Sequence, residues 1–302
     1  MLETKKITAN EAIQKMIRYI NADQPKLFYE IAELYAKGLS PTGSIAREIK
    51  WLVSKRPKKL ILLESLSHDV KKLILRSEEK NDYVFIPNTT KSLLDELLIE
   101  WKNVDAFRHH NLPIRNKILL HGITGNGKTT IARHIAKLAE LPFVEIKSDL
   151  VISSSIGSSG KNIDRIFNQI QEPCVLFWDE VDTIGRKRGN SQETAAGVEN
   201  ERMVNSVLVN IEKLSNDVIF VGATNRKDVL DSAFLRRFDI LHEILPPTDQ
   251  QKNVFSQNLV EYFNLPDEYL KLNHSDLISY SEIKSRMVDN ARKRVLQNLI
   301  NL

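Results

Sequence analysis

The chain holds one cysteine, Cys174, in 302 residues, so an intramolecular disulfide is excluded and a reducing, cytoplasmic setting is expected. No apolar run approaches the ~20 residues that cross a bilayer. The start, Met1-Leu2-Glu3-Thr4-Lys5-Lys6, lacks the apolar core of a secretory leader, and no membrane association is expected. Charge of one sign is also scarce: 43 Lys and Arg against 39 Asp and Glu leave +4. The basic clusters at 55–59, 186–188 and 292–294 read as solvated faces ahead of nucleic-acid sites. Seven histidines, the pair His109-His110 included, have no companions at zinc-ligand spacing. What remains is an ordinary globular composition, 42% hydrophobic and 27% charged, long enough for about two domains.

Lys117 to Thr130 reads K-I-L-L-H-G-I-T-G-N-G-K-T-T. Ile118, Leu119 and Leu120 make a buried strand, and Ile131, Ile135 and Leu138 start a helical stripe. Between them, Gly122, Gly127, Lys128 and Thr129 fit G-x-x-x-x-G-K-[ST]. Glycines allow the backbone to wrap an anion, and the N–H groups and helix start then point at phosphates. Gly122, Ile123, Thr124, Gly125, Asn126, Gly127, Lys128, Thr129 and Thr130 are therefore expected to hold a nucleoside triphosphate. Lys128 is expected at its β/γ-phosphates and the Thr129 hydroxyl on Mg²⁺.

Three segments are expected. Residues 1–80 form a helical module: Thr8 and Glu11 cap one helix, Pro25 opens a second that Gly38 closes, and a third stops before Pro57. Residues 81–248 alternate strands, near 118–121, 143–147, 174–178, 218–223 and 240–245, with helices beginning near Gly127, Lys161 and Glu199. Such βα alternation predicts an α/β fold with a mainly parallel sheet, its site at the strands' C-terminal ends. Residues 249–302 return to helices and read as a small α-helical lid.

Val175 to Trp178 is an apolar strand that ends in Asp179 and Glu180. Side chains alternate along a strand, so the two carboxylates leave its tip in different directions. Asp179 would hold Mg²⁺ opposite Thr129, leaving Glu180 as the general base for the attacking water. Bulky Trp178 reads as packing. The next strand ends in Asn225, an amide placed to contact γ-phosphate and water. Arg236 and Arg237 follow, just before the last strand.

Gly122 to Thr129, Val175 to Glu180, Gly222 to Arg226 and Ser232 to Asp239 occur in the order and spacing of the AAA+ ATPases, and the chain resembles the AAA clade of that family. The resemblance implies a P-loop NTPase core that hydrolyses ATP with Mg²⁺, and a homo-oligomeric ring, usually a hexamer. It further implies that Arg236 and Arg237 act on a neighbour's nucleotide as arginine fingers. Leu235-Arg236-Arg237-Phe238-Asp239 is two residues shorter than the family's L-R-P-G-R-F-D, so which arginine reaches the γ-phosphate stays open. Ser153 to Gly157, at the family's pore-loop position, has no aromatic residue. The compact form is similar to bacterial members that work beside a subtilisin-like protease. Remodelling or regulation of a protein partner, a protease among the candidates, is the expected function. A nucleotide-gated nucleic-acid loader or defence switch is the alternative, motivated by the basic clusters.

Overall fold

The computed structural model describes residues 32, 66–76, 83–152, 159–170, 172–184, 195–266 and 276–300. The chain divides into two compact units, Met1–Ser65 and Leu66–Leu302. The three helices expected before residue 57, the basic clusters at 55–59 and 186–188, and the loop at 153–157 lie outside the described residues.

The second unit is built on a six-stranded sheet. Its strands are β1 (Ile74–Arg76), β2 (Lys117–His121), β3 (Phe143–Ile146), β4 (Cys174–Trp178), β5 (Val218–Thr224) and β6 (Ile240–Glu243). They lie in the order β1-β3-β4-β5-β2-β6. The five strands from β3 to β6 pair in parallel, and β1 joins β3 antiparallel. Every residue of β4 and β5 is buried, which explains their unbroken apolar reading, since a parallel sheet is covered on both faces.

Strand β1 corrects the expected domain boundary. Ile74, Leu75 and Arg76 register with Ile146, Glu145 and Val144, and a short helix α1 (His68–Leu73) leads into them. The helical module drawn over 1–80 therefore gives up 66–76 to the α/β unit. Three residues are too few for a strand pattern, and their partner lies some seventy positions away.

Helices α2 (Asn88–Lys102), α3 (Val104–His109), α4 (Lys128–Leu138), α5 (Ser148–Ile152), α6 (Ser159–Gln169), α7 (Ala195–Lys213) and α8 (Ser232–Leu235) flank or connect the strands. Leu94 and Leu97 of α2 and Ile131 and Ile135 of α4 share one core with Ile118, Leu120, Val175, Phe177 and Val221 of the sheet. Arg115 ties α2 down from below, its side chain donating to Glu96 at 2.6 Å and to the buried Glu100 at 2.8 Å. Asp239 accepts from the backbone N–H of Asn116 and Lys117, at 3.0 and 2.9 Å, and so locks the entry of β6 to that of β2.

Two further helices, α9 (Asp249–Tyr262) and α10 (Tyr280–Ile300), form the C-terminal helical part. Thr248 and Gln251 close a reciprocal cap at the start of α9. Phe255, Leu259, Tyr280, Ile283 and Met287 make a separate small core, against which Tyr83 and Phe85 pack. The extended segment ahead of α2 is thus the floor of the helical part. Among the described residues no helix is long and apolar enough to cross a membrane.

Candidate functional site

Parallel strands carry their tips to one edge of a sheet, and the sheet order β4-β5-β2 sets three informative tips side by side. The loop after β2 leaves by a backbone that L side chains rarely adopt: φ is +142° at Gly122, +83° at Gly125 and +86° at Gly127. A Cβ on Gly122 would lie 2.3 Å from the carbonyl oxygen of Ile244. This close approach explains the glycine as well as its φ does. Among the described residues, the backbone N–H groups of Gly125, Asn126, Gly127 and Lys128 find no acceptor in the chain. Unpaired donors converging ahead of the helix α4 form an anion nest.

Lys128 bends back over this loop and donates to the carbonyls of Gly122, at 2.8 Å, and Ile123, at 3.0 Å. Burial pulls the pKa of its ammonium down, and the carboxylates of Asp179 and Asp182 oppose that shift. Thr129 donates through Oγ1 to Asp179 Oδ2 at 3.2 Å, which brings the ends of β2 and β4 together. A hydroxyl and a carboxylate meeting beside an anion nest are the hard oxygen donors that Mg²⁺ takes alongside substrate phosphates. The donor set fits MgATP.

Asn225, exposed at the tip of β5, donates from Nδ2 to Thr124 Oγ1 at 3.1 Å. Beneath it, the Thr224 hydroxyl donates to Asp182 Oδ1 at 2.6 Å, a fully buried bond that fixes the spacing of the β4 and β5 tips. Glu180 is exposed and takes the left-handed region at φ +54°, an uncommon state for a side-chain-bearing residue. Trp178, read from sequence as packing, is 1% exposed and sits near Phe167, with ring centroids 6.3 Å apart. It also donates its indole N–H to Ser148 Oγ at 2.9 Å.

The two arginines separate. Arg237 Nε lies 3.0 Å from Glu212 Oε1 of α7, an ion pair by distance without the alignment of a hydrogen bond. Arg236 is exposed, and no side-chain partner of it occurs among the described residues. Among the described residues no hydrogen bond or ion pair joins either guanidinium to the loop after β2. Asn126 is 2% exposed, and both its amide oxygen and nitrogen lack partners. The helical part rests on the loop, because Ser281 N donates to Gly125 O at 3.0 Å.

Several participants carry no motif and escape sequence reading. Asp182 and Ser148 are ordinary polar residues whose partners lie far off in the sequence, Thr183 meets a carbonyl three residues back, and only the bulk of Trp178 hints at anything there. His121 is 8% exposed at the end of β2 and its Nε2 accepts from Lys227 Nζ at 3.2 Å. Burial lowers its pKa first, and Lys227 adds to the shift.

Residues 118–245 match the model of the "ATPase family associated with various cellular activities (AAA)". Over 191 residues the chain is 35% identical to the peroxisomal ATPase PEX6 of Dictyostelium discoideum, covering 61% of this chain and 16% of that protein. Over 163 residues it is 34% identical to the ATP-dependent zinc metalloprotease FtsH 2 of Symbiobacterium thermophilum, covering 52% of this chain and 28% of that one. The chain thus spans less than a third of either relative. The crystal structure of the FIGL-1 AAA domain superposes with a TM-score of 0.56 at 23% identity, covering 74% of this chain and 77% of that one, and supports the fold.

Proposed function

Because the chain carries an ATPase domain of the AAA family over residues 118–245, we propose that it hydrolyses MgATP as a ring of copies and uses the cycle to remodel or regulate a protein partner. The observation that carries the reading is the meeting of Thr129 and Asp179 next to a loop of unpaired N–H donors. Binding draws Lys128 off the carbonyls of Gly122 and Ile123 and onto phosphate oxygens, trading neutral acceptors for charged ones. Bound Mg²⁺ would supply charge neutralisation at the β- and γ-phosphates, with Thr129 and Asp179 holding it. Glu180 takes the proton of the attacking water, and Asn225 orients that water and the γ-phosphate. Arg236 reaches the γ-phosphate of an adjoining copy, an assignment its exposure supports.

A protein partner is favoured by the curated relatives, one of which is named as a zinc metalloprotease. The partner, the hexameric stoichiometry and the cytoplasmic location belong to the proposal. The test is direct. Lys128→Ala is expected to abolish ATP binding, whereas Glu180→Gln is expected to keep binding, lower turnover by about 10²–10⁴-fold and accumulate an assembled ring. Parental turnover in Glu180→Gln would remove Glu180 as the base. Affinity capture on the Glu180→Gln ring with ATP, set beside the Lys128→Ala protein, identifies the partner.

A further inference from the structure

We propose that Trp178, Ser148 and Thr183 are positioning residues that aim the Asp179–Glu180 peptide, and through it the Glu180 carboxylate. The proposal rests on the reading of Glu180 as the base. An indole N–H only donates, so when Trp178 Nε1 donates to Ser148 Oγ at 2.9 Å the serine oxygen must accept. The serine proton is then turned to the backbone carbonyl of Asp179, also at 2.9 Å. This chain of donors has a single direction, from a side chain sealed in the core to the first peptide beyond the strand.

That peptide is planar, so pinning its carbonyl fixes its N–H as well. The N–H belongs to Glu180 and donates to Asp179 Oδ1 at 2.9 Å. On the far side of Glu180, its own carbonyl accepts from the Thr183 N–H at 2.9 Å and from the Thr183 hydroxyl at 2.8 Å. Both peptide planes that flank Glu180 are therefore held by named groups. The φ of +54° lies between them, and an unfavourable backbone state persists only where its surroundings over-determine it. Without these bonds the residue relaxes to the ordinary β or α region and its side chain swings to another direction. The same carboxylate of Asp179 that accepts from Glu180 N faces Thr129 through its other oxygen.

Trp178 is the anchor because a large, fully buried ring cannot drift. Its neighbour Phe167, on α6, and Ser148, at the start of α5, bracket it from two helices. A smaller aliphatic residue would fill the same strand position and leave Ser148 free to turn.

The experiment measures ATP turnover, ATP affinity and thermal stability of the 302-residue chain and its variants. Trp178→Phe keeps an aromatic ring and loses the N–H; Ser148→Ala loses the relay; Ser148→Thr and Thr183→Ser keep a hydroxyl; Thr183→Val does not. Trp178→Phe, Ser148→Ala and Thr183→Val are each expected to lower kcat about tenfold, the scale of one lost hydrogen bond, with ATP affinity unchanged. Ser148→Thr and Thr183→Ser are expected to keep parental kcat. In the Glu180→Gln background, Ser148→Ala is expected to cause no further loss, because the group it positions is gone. Parental kcat in all three loss variants, or an equal additional loss in the Glu180→Gln background, overturns the assignment. A loss of affinity and stability in step with kcat overturns it too. A parental chain whose turnover equals that of Lys128→Ala overturns the ATPase reading itself, and the assignment with it.

Discussion

Arg237 is held within its own chain by Glu212, at 3.0 Å, while Arg236 beside it is exposed. A guanidinium already paired has to break that pair before it serves a neighbour, whereas Arg236 has no side-chain partner to release among the described residues. Arg236→Ala is expected to lower turnover by about 10³-fold and to leave ATP binding intact, whereas Arg237→Ala is expected to lose less. Mixing Arg236→Ala with Lys128→Ala should restore part of the activity, since each lacks what the other supplies. Steady-state ATPase assays of the single and mixed proteins check both points. A larger loss in Arg237→Ala reverses the assignment.

Gly125 joins the phosphate loop to the helical part. A Cβ there would stand 2.9 Å from Ser279 Oγ and 3.1 Å from Ser281 Cβ, at a φ of +83°. Gly125→Ala is expected to break the Ser281–Gly125 hydrogen bond and to lower stability by about 1–3 kcal/mol. ATP affinity is expected to fall with it, as the nest loses its shape. Urea unfolding and a fluorescent-nucleotide titration measure the two effects.

The buried amide of Asn126 has two polar atoms without a hydrogen-bond partner. An unpaired buried polar atom is costly to stability, so Asn126→Val is expected to raise the stability of the chain without nucleotide, by about 1–3 kcal/mol. Chemical denaturation without ATP reads this directly. A fall in stability would mean that the amide is satisfied in solution.

How much of this was legible in the sequence depends on the range of the interaction. The central strands β2, β4 and β5 stood out as buried apolar runs, while β3 and β6 are shorter and only partly buried; the ends of all five differ from expectation by two residues or fewer, with β5 running to Thr224 and β6 stopping at Glu243. The turn after β2 follows from local glycine chemistry, since Gly122, Gly125 and Gly127 all take a positive φ. Strand β1 did not stand out, because Ile74, Leu75 and Arg76 gain their identity only from β3. Ser148 and Thr183 are equally silent, since a hydroxyl signals nothing until the carbonyl it meets is known. The division between Arg236 and Arg237 turned on Glu212, more than twenty positions upstream.

Three histidines set an acid limit. Burial lowers the pKa of His121, His134 and His242 below the ordinary value of 6.5; Lys227 adds to this at His121 and Lys137 at His134. As pH falls through 6.5 the unfolded chain takes up protons that the folded chain refuses, so stability declines, and the decline levels off below the folded-state values. Stability is therefore expected to be lower at about pH 5 than at about pH 7. His242, whose Nε2 lies 2.9 Å from Thr90 Oγ1, offers the control. His242→Gln is expected to flatten part of the slope in urea unfolding across this range. An unchanged slope would show that His242 titrates normally.

Strand β1 has a consequence for assembly. With only three residues laid antiparallel along β3, and four in β6 at the opposite margin, neither border of the sheet offers a long open ladder for a foreign strand. Among the described residues, neither margin of the sheet gives copies of the chain a long stretch of backbone on which to zip together. Contacts between copies at these margins are left to side chains, which part more readily than a paired ladder.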